Sequence, residues 1–382
     1  MIKKLDAINV TIFANSCWTV FNFRANLVKA LKARGCRVTV IAADDSYKEQ
    51  LNNLGCDFIP LNIKSRGKNI FKEFCTLAAT YTAIKRLSPD VLLTFTIKPN
   101  IYGSLLAPLI GCKVINNITG LGSIFSSDNY LTKIIRFLYK IAFIKSSTVF
   151  FQNNEDMQLF LKYRLIRKSQ CERLPGSGVN LEQFKYAPAS NSYGRSFRFI
   201  LIARMLWDKG IAEYVDASRN LKIKFPNTEF WLVGFLDAEN PASISASQMN
   251  ELTADGVVSY RGGSRDILSE ILMADCIVLP SYYKEGVPRS LLEAAAVGRP
   301  IITTNMPGCR DVVDDGINGF LCSARDSNDL AKKMEKILML PVSDRLIMGL
   351  SSRRKMELCF DEKVVIDQYI KYISKALEIS KV

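Results

Sequence analysis

The sequence predicts an α/β protein made of two doubly wound, parallel-sheet domains that face each other across a cleft. Two observations carry this. Short runs rich in Val and Ile alternate with longer stretches of helical periodicity, which is the pattern of a parallel sheet covered by helices. The alternation is broken once, by the turn-rich stretches LPGSGVN (174–180) and YAPASNSYGRS (186–196), and then restarts. A length of 382 residues suits two domains of ordinary size.

In the first half, strands are expected at 8–13 (INVTIF), 37–43 (RVTVIAA), 90–96 (DVLLTFT), 113–118 (KVINNI) and 147–151 (STVFF). Helices are expected around 20–34, after residue 43, and at 69–87, 99–110 and 129–145. The second half repeats the rhythm without repeating the sequence. Strands are expected at 197–203, 229–234, 256–260, 276–280 and 300–304, with helices at 209–224, 264–273 and 289–298. The stretch 361–380 has apolar positions at helical spacing and reads as an amphipathic helix.

Composition narrows the chemistry. Apolar residues make up 48% and charged residues 23%, a globular profile. No apolar run reaches the roughly 18–20 residues that span a bilayer. Asp6 and Asn9 interrupt the basic and apolar N-terminal stretch, which therefore reads as a first strand and not a signal peptide. Ten cysteines lie scattered between Cys17 and Cys359 with no C-x-x-C pair, as suits a reducing cytoplasm. Histidine is absent, which removes catalytic triads and His-ligated metals. Residues 1–190 hold 26 Lys+Arg against 12 Asp+Glu, and the rest of the chain holds 25 of each. The whole net charge of +14 thus lies in the first half, which predicts an anionic partner there: lipid headgroups, nucleic acid or an acidic substrate.

Open parallel sheets bind ligands beyond the carboxyl ends of their strands, so function is expected between the two domains. KEGVPRSLLEAAAVGRPII (284–302) places Glu285 before a helix start at Pro288 and Glu293 inside the helix, among Leu and Ala. The first-turn N–H groups and the dipole of such a helix attract anions, and Gly286 and Val287 let the backbone come close. Glu293 lies roughly 8 Å further along the axis. There a carboxylate accepts hydrogen bonds from a vicinal diol such as a ribose's, while Glu285 faces the other end of the ligand. The plainer reading is a helix with one half-exposed Glu and a loop Glu. LIARMLWDKG (201–210) adds Arg204 and Lys209 at a strand's carboxyl end, a fork and a point charge for phosphate, or else two surface charges.

ARMLWDKG, FWLVG, YRGG, LPGSGVNLEQF and ADCIVLPSYYKEGVPRSLLEAAAVGRPIITTNMPGCRDVVDDGINGFLC together resemble the family 4 retaining glycosyltransferases, whose signature is the E-x7-E spacing of Glu285 and Glu293. FNFRANLVKAL, TIKPNIYG and NNITGLGSIF are similar to stretches of bacterial members that add sugars to lipid-linked surface polysaccharides or glycans. The resemblance implies the GT-B fold: two Rossmann-like domains, 1–178 for the acceptor and membrane, 179–360 for the nucleotide-sugar, with 361–382 returning to the first.

It also implies roles. Arg204 and Lys209 hold a diphosphate, and the backbone of Gly286, Val287, Pro288, Arg289 and Ser290 completes the cradle. Glu293 binds the ribose, Glu285 the donor sugar, and the backbone near Arg261 and Gly262 the base, uracil. A His common in the family falls at Thr119, so the donor contacts of Thr119 and Gly120 depart from the pattern. NSCWTVFNFR replaces the usual Gly-rich loop and puts Asn15 near the acceptor. No D-x-D motif is present, so no metal or other cofactor is expected. Arg204, Lys209 and the helix dipole would stand in for a metal, and the acceptor hydroxyl would attack from the front face.

The stretch 129–147 mixes Lys133, Arg136, Lys140 and Lys145 with apolar residues, and 63–72 adds Lys64, Arg66, Lys68 and Lys72. Both read as surfaces for an anionic membrane, or else as ordinary domain helices. Lys98 is a candidate cation for an acidic acceptor. The expected protein is a cytoplasmic hexosyltransferase held at the inner face of the cell membrane. It moves GalNAc, GlcNAc or a related hexose from a UDP-sugar to a polyprenyl-diphosphate-linked saccharide, with no nucleic-acid partner. The alternatives are an epimerase of the same fold and a non-catalytic protein that binds anionic surfaces.

Overall fold

The computed structural model describes residues 8–63, 70–122, 125, 130–189, 196–237, 240 and 242–378. The chain forms two units, residues 1–177 with 363–382, and residues 178–362.

The first unit has a seven-stranded sheet of β1 (Asn9–Ser16), β2 (Arg37–Ala43), β3 (Asp57–Pro60), β4 (Val91–Phe95), β5 (Lys113–Ile118), β6 (Thr148–Phe151) and β7 (Cys171–Arg173). Their order is β3-β2-β1-β4-β5-β6-β7, and every pairing is parallel. The helices are α1 (Cys17–Ala33), α2 (Lys48–Asn53), α3 (Ile70–Leu87), α4 (Ile97–Leu106), α5 (Tyr130–Ala142) and α6 (Asn154–Lys162). Ser16 caps α1 by accepting the Thr19 N–H at 3.2 Å, and Asn153 caps α6 by accepting the Asp156 N–H at 2.8 Å. Strands with both faces buried read as unbroken apolar runs, which is why the sequence exposed them.

The second unit has six parallel strands: β8 (Phe197–Ile202), β9 (Thr228–Val233), β10 (Val258–Tyr260), β11 (Cys276–Leu279), β12 (Ile301–Thr304) and β13 (Gly319–Cys322). Their order is β10-β9-β8-β11-β12-β13. Around them lie α7 (Ile211–Lys224), α8 (Ala246–Thr253), α9 (Ile267–Met273), α10 (Arg289–Val297), α11 (Cys309–Val312), α12 (Ser327–Met339) and α13 (Val342–Lys355). In both sheets the winding reverses at the centre, between β1 and β4 and between β8 and β11, and each reversal opens a crevice at the carboxyl ends.

The last helix, α14 (Glu362–Ala376), packs into the first unit. Val365, Tyr369, Tyr372 and Ile373 join the core that lies under α1. The Asn117 amide donates to the Tyr369 hydroxyl, and buried Arg24 lies 4.5 Å over the Phe95 ring, beside Tyr369.

Several elements differ from expectation. β3, β7 and β13 are too short to stand out as periodic runs. The helix expected at 99–110 starts earlier and ends in a 3-10 turn, Ala107–Ile110. Pro288 caps α10 instead of opening it. The turn-rich break is partly core: Val179 is buried in the second unit, as is Phe184 between its two stretches. Arg353 and Arg299 donate to the Phe184 and Ala187 carbonyls. Residues 190–195, and with them part of the expected turn-rich break, lie outside the described residues, as do Lys64, Arg66 and Lys68.

Candidate functional site

The crevice between β8 and β11 is flanked by the loops that follow those strands. Main-chain bonds stitch the two loops together: the Asp208 carbonyl accepts the N–H groups of Tyr282 at 3.0 Å and Tyr283 at 3.1 Å. Lys209, only 8% exposed, donates to the Glu285 carboxylate, whose Oε1 also lies 3.1 Å from the Ser281 hydroxyl. The Tyr283 ring sits 5.1 Å from the ammonium. Thr304, at the end of β12, donates to the Ser281 carbonyl. Gly308, at φ +80°, lies so close to the Gly286 carbonyl that a Cβ there would collide with it. The turn that carries Glu285 and Gly286 is therefore held from two sides.

Glu293 projects from α10, where every residue from Leu291 to Val297 is buried. The residue is 8% exposed, and Arg289, one turn back, donates through Nε to Oε1 at 2.6 Å. Burial pushes the Glu293 pKa above its ordinary 4.5, and the Arg289 charge pulls it back. Pro288 gives the start of α10 no side-chain cap, and the positive end of the helix dipole lies beside Gly286, Val287 and Ser290. Arg204 leaves the end of β8 half exposed. Among the described residues its closest carboxylate, Asp237, stands at a loose 3.8 Å, and half of the Arg204 side chain is open to solvent. Arg204, Lys209, Glu285 and Glu293 thus share the carboxyl edge of one sheet.

Other expected residues are placed differently. The Arg261 N–H donates to the Leu232 carbonyl, and the Gly262 carbonyl accepts the Gly234 N–H, so these two groups extend the sheet. The Arg261 guanidinium lies 4.7 Å over Trp231. In the first unit, Asn15 sits near the end of β1 with a buried, unpartnered Oδ1, while Thr119 and Gly120 follow β5 half-buried. These stand at that sheet's carboxyl edge. Lys98, expected as a cation for an acidic acceptor, is compensated inside the unit. Its Nζ donates to Glu73 at 2.6 Å, and the Tyr102 hydroxyl donates to the same carboxylate. Arg136, expected to face a membrane, lies 3.8 Å over the Tyr163 ring. Lys133, Lys140 and Lys145 are exposed, as is Lys72.

Ser281, Tyr283, Thr304 and the Asp208 carbonyl were not singled out from the sequence. Their part in the site depends on main-chain bonds between loops about seventy residues apart, and no local spacing reveals those.

Residues 182–355 match the family Glycosyl transferases group 1, and residues 9–153 match Glycosyl transferase 4-like. One similar protein is the N,N'-diacetylbacillosaminyl-diphospho-undecaprenol alpha-1,3-N-acetylgalactosaminyltransferase of Campylobacter jejuni subsp. jejuni serotype O:2. It is 29% identical over 94% of this chain and 96% of its own. Another is the UDP-Gal:alpha-D-GlcNAc-diphosphoundecaprenol alpha-1,3-galactosyltransferase of Escherichia coli, 25% identical over 71% of this chain and 72% of its own. Among solved structures, Anabaena Alr3699/HepE in complex with UDP and glucose superposes with a TM-score of 0.80. The match has 16% identity and covers 96% of this chain and all of that one, which shows the shared fold.

Proposed function

The chain belongs to the group 1 and GT4-like glycosyltransferases and is a hexosyltransferase of GT-B fold; from that premise we propose that it moves a hexose or N-acetylhexosamine from a UDP-sugar to a saccharide carried on polyprenyl diphosphate. One observation carries the reading. A guanidinium, a buried Lys–Glu pair, an uncapped helix start and a buried carboxylate lie together at the central crevice of the second sheet.

Each group has work to do in the transfer. Arg204 and the α10 amides take the diphosphate, and Lys209 adds charge as the sugar–phosphate bond breaks. Arg204, Lys209 and the α10 dipole supply this stabilisation without a metal. Glu285, anchored by Lys209 and Ser281, turns toward the sugar. Glu293 accepts from the ribose hydroxyls through the oxygen that Arg289 does not hold. The acceptor hydroxyl attacks from the side the diphosphate leaves, and its proton passes to a diphosphate oxygen, so the anomeric configuration is kept. The alpha linkages in the two relatives' names accord with this course.

The acceptor side is read from the first unit. α5 buries only Thr132, Tyr139 and Ala142, and it exposes Leu131, Ile134, Phe137 and Ile141 beside Lys133 and Lys140. Phe71 and Phe74 on α3 are 82% and 66% exposed, and α4 contacts both helices. Apolar side chains ringed by lysines suit the inner surface of an anionic membrane, where a polyprenyl-linked acceptor is held.

The test is transfer itself: purified protein, UDP-GalNAc, UDP-GlcNAc or UDP-Gal, and undecaprenyl-diphosphate-linked saccharides in anionic vesicles. The expected result is a lipid-linked product one sugar longer, with the alpha configuration. Release of an altered nucleotide-sugar without acceptor would instead make the protein an epimerase.

A further inference from the structure

The loop after β9 carries Phe235, which among the described residues is the only exposed phenylalanine of the second unit, at 56% exposure. An aromatic ring left in water at the carboxyl edge of a ligand-binding sheet lacks the usual reason for its placement, since burial elsewhere would favour folding. Its main chain is nonetheless tightly held. The Phe235 carbonyl accepts the Met205 N–H at 3.1 Å, and the Gly234 N–H donates to the Gly262 carbonyl at 2.8 Å. The Tyr260 hydroxyl donates to the Gly234 carbonyl at 2.8 Å, and Ser243 accepts the Asp237 N–H at 3.0 Å. The ring rests on Gly263, where any Cβ would run into it. A glycine there makes room for a flat ring. Phe235 thus stands between the strand end that carries Arg204 and the one that carries Arg261 and Gly262.

We propose that Phe235 is the platform on which the nucleobase of the donor lies. The inference rests on the nucleotide-sugar reading above. On the side of Arg204 away from β11 the sheet edge is made of the β9 and β10 ends, and there Phe235 offers an exposed ring to a pyrimidine whose diphosphate Arg204 holds. A π-face meets any base, so Phe235 supplies affinity and the edges of the base are read by other groups.

The experiment measures UDP binding by calorimetry in the full chain carrying Phe235→Ala, Phe235→Leu, Phe235→Tyr or Phe235→Trp, with Arg204→Ala as reference. Phe235→Ala and Phe235→Leu are expected to weaken UDP roughly tenfold with unchanged melting temperature. Phe235→Tyr retains wild-type affinity, and the fluorescence of Phe235→Trp is quenched by UDP. If Phe235→Leu binds as tightly as Phe235→Tyr, the residue is an apolar prop and the proposal falls. If Phe235→Ala matches wild type while Arg204→Ala has lost UDP, the proposal falls and the transferase reading stands. If the wild type ignores UDP, both fall.

Discussion

The two units are wound alike, yet each uses its sheet edge differently. Each has a Lys–Glu pair built from residues near the start of a helix. In the first unit Lys98 and Glu73 join α4 to α3 on the flank of the sheet, with the Tyr102 hydroxyl completing the contact. In the second, Lys209 and Glu285 lie between the loops that leave β8 and β11, beside an uncapped helix start and the half-exposed Arg204. The same chemistry fastens helices in one place and lines the proposed anion site in the other. Topology provides the crevice, and the neighbouring donors decide whether a pair serves the fold or a ligand.

Breaking the two pairs separates these roles, and the largest effect is expected there. Lys209→Ala should lower turnover by roughly 10²–10³-fold, the scale of losing one donor to a developing charge. Lys98→Ala should leave turnover near wild type and lower the melting temperature, because Glu73 and Tyr102 remain without their cation. Equal loss of activity in both, at matched folded fractions, would erase the distinction.

Next in size is Glu293. Glu293→Gln should weaken UDP binding about 10- to 100-fold, as for a hydrogen bond to a charged group. Wild-type UDP affinity should also fall as pH drops through the raised Glu293 pKa, at a higher pH than for an ordinary carboxyl. Stability runs the other way. A carboxyl whose folded pKa lies above its unfolded value binds more protons in the native state, so its contribution is present below 4.5 and is lost as pH rises through the folded value. Calorimetry and melting curves across mildly acidic pH should therefore move in opposite directions, and Arg289→Ala should shift both toward higher pH.

The first unit gives a smaller effect. Neutralising Lys133 and Lys140 together should reduce co-sedimentation with anionic vesicles by roughly ten- to thirtyfold, at about 1 kcal/mol for each cation. Phe137→Ser should weaken it further, while Arg136→Gln should change it little, because its guanidinium is stacked on Tyr163. No loss with the double variant would assign α5 to some other partner. The smallest expected effect is none: transfer in the presence of a chelator should equal transfer with magnesium, and a dependence on divalent cations would overturn the metal-independent reading.

Much of this was legible in advance because it depends on local pattern. The buried strands announced themselves as apolar runs, and Glu285 and Glu293 stood out as carboxylates around an apolar helix start. The partners of Lys98 and Arg136 were not legible, for a physical reason. A cation's value to a ligand depends on what else compensates it, and Glu73 and Tyr163 lie 25 and 27 residues away along the chain. Phe235 was not singled out from the sequence, where it is one apolar residue after a strand.

Alone, the order of residues determined the two doubly wound units and the chemical inventory: no histidine, a basic first half, and acids spaced about a helix start. Those follow from periodicity and composition, which are local or additive properties. Tertiary structure decided which charges are spent on each other, which helix keeps its apolar side in water, and which ring stands open at the sheet edge near Arg204. Burial and compensation depend on neighbours that the fold brings together from distant points in the chain.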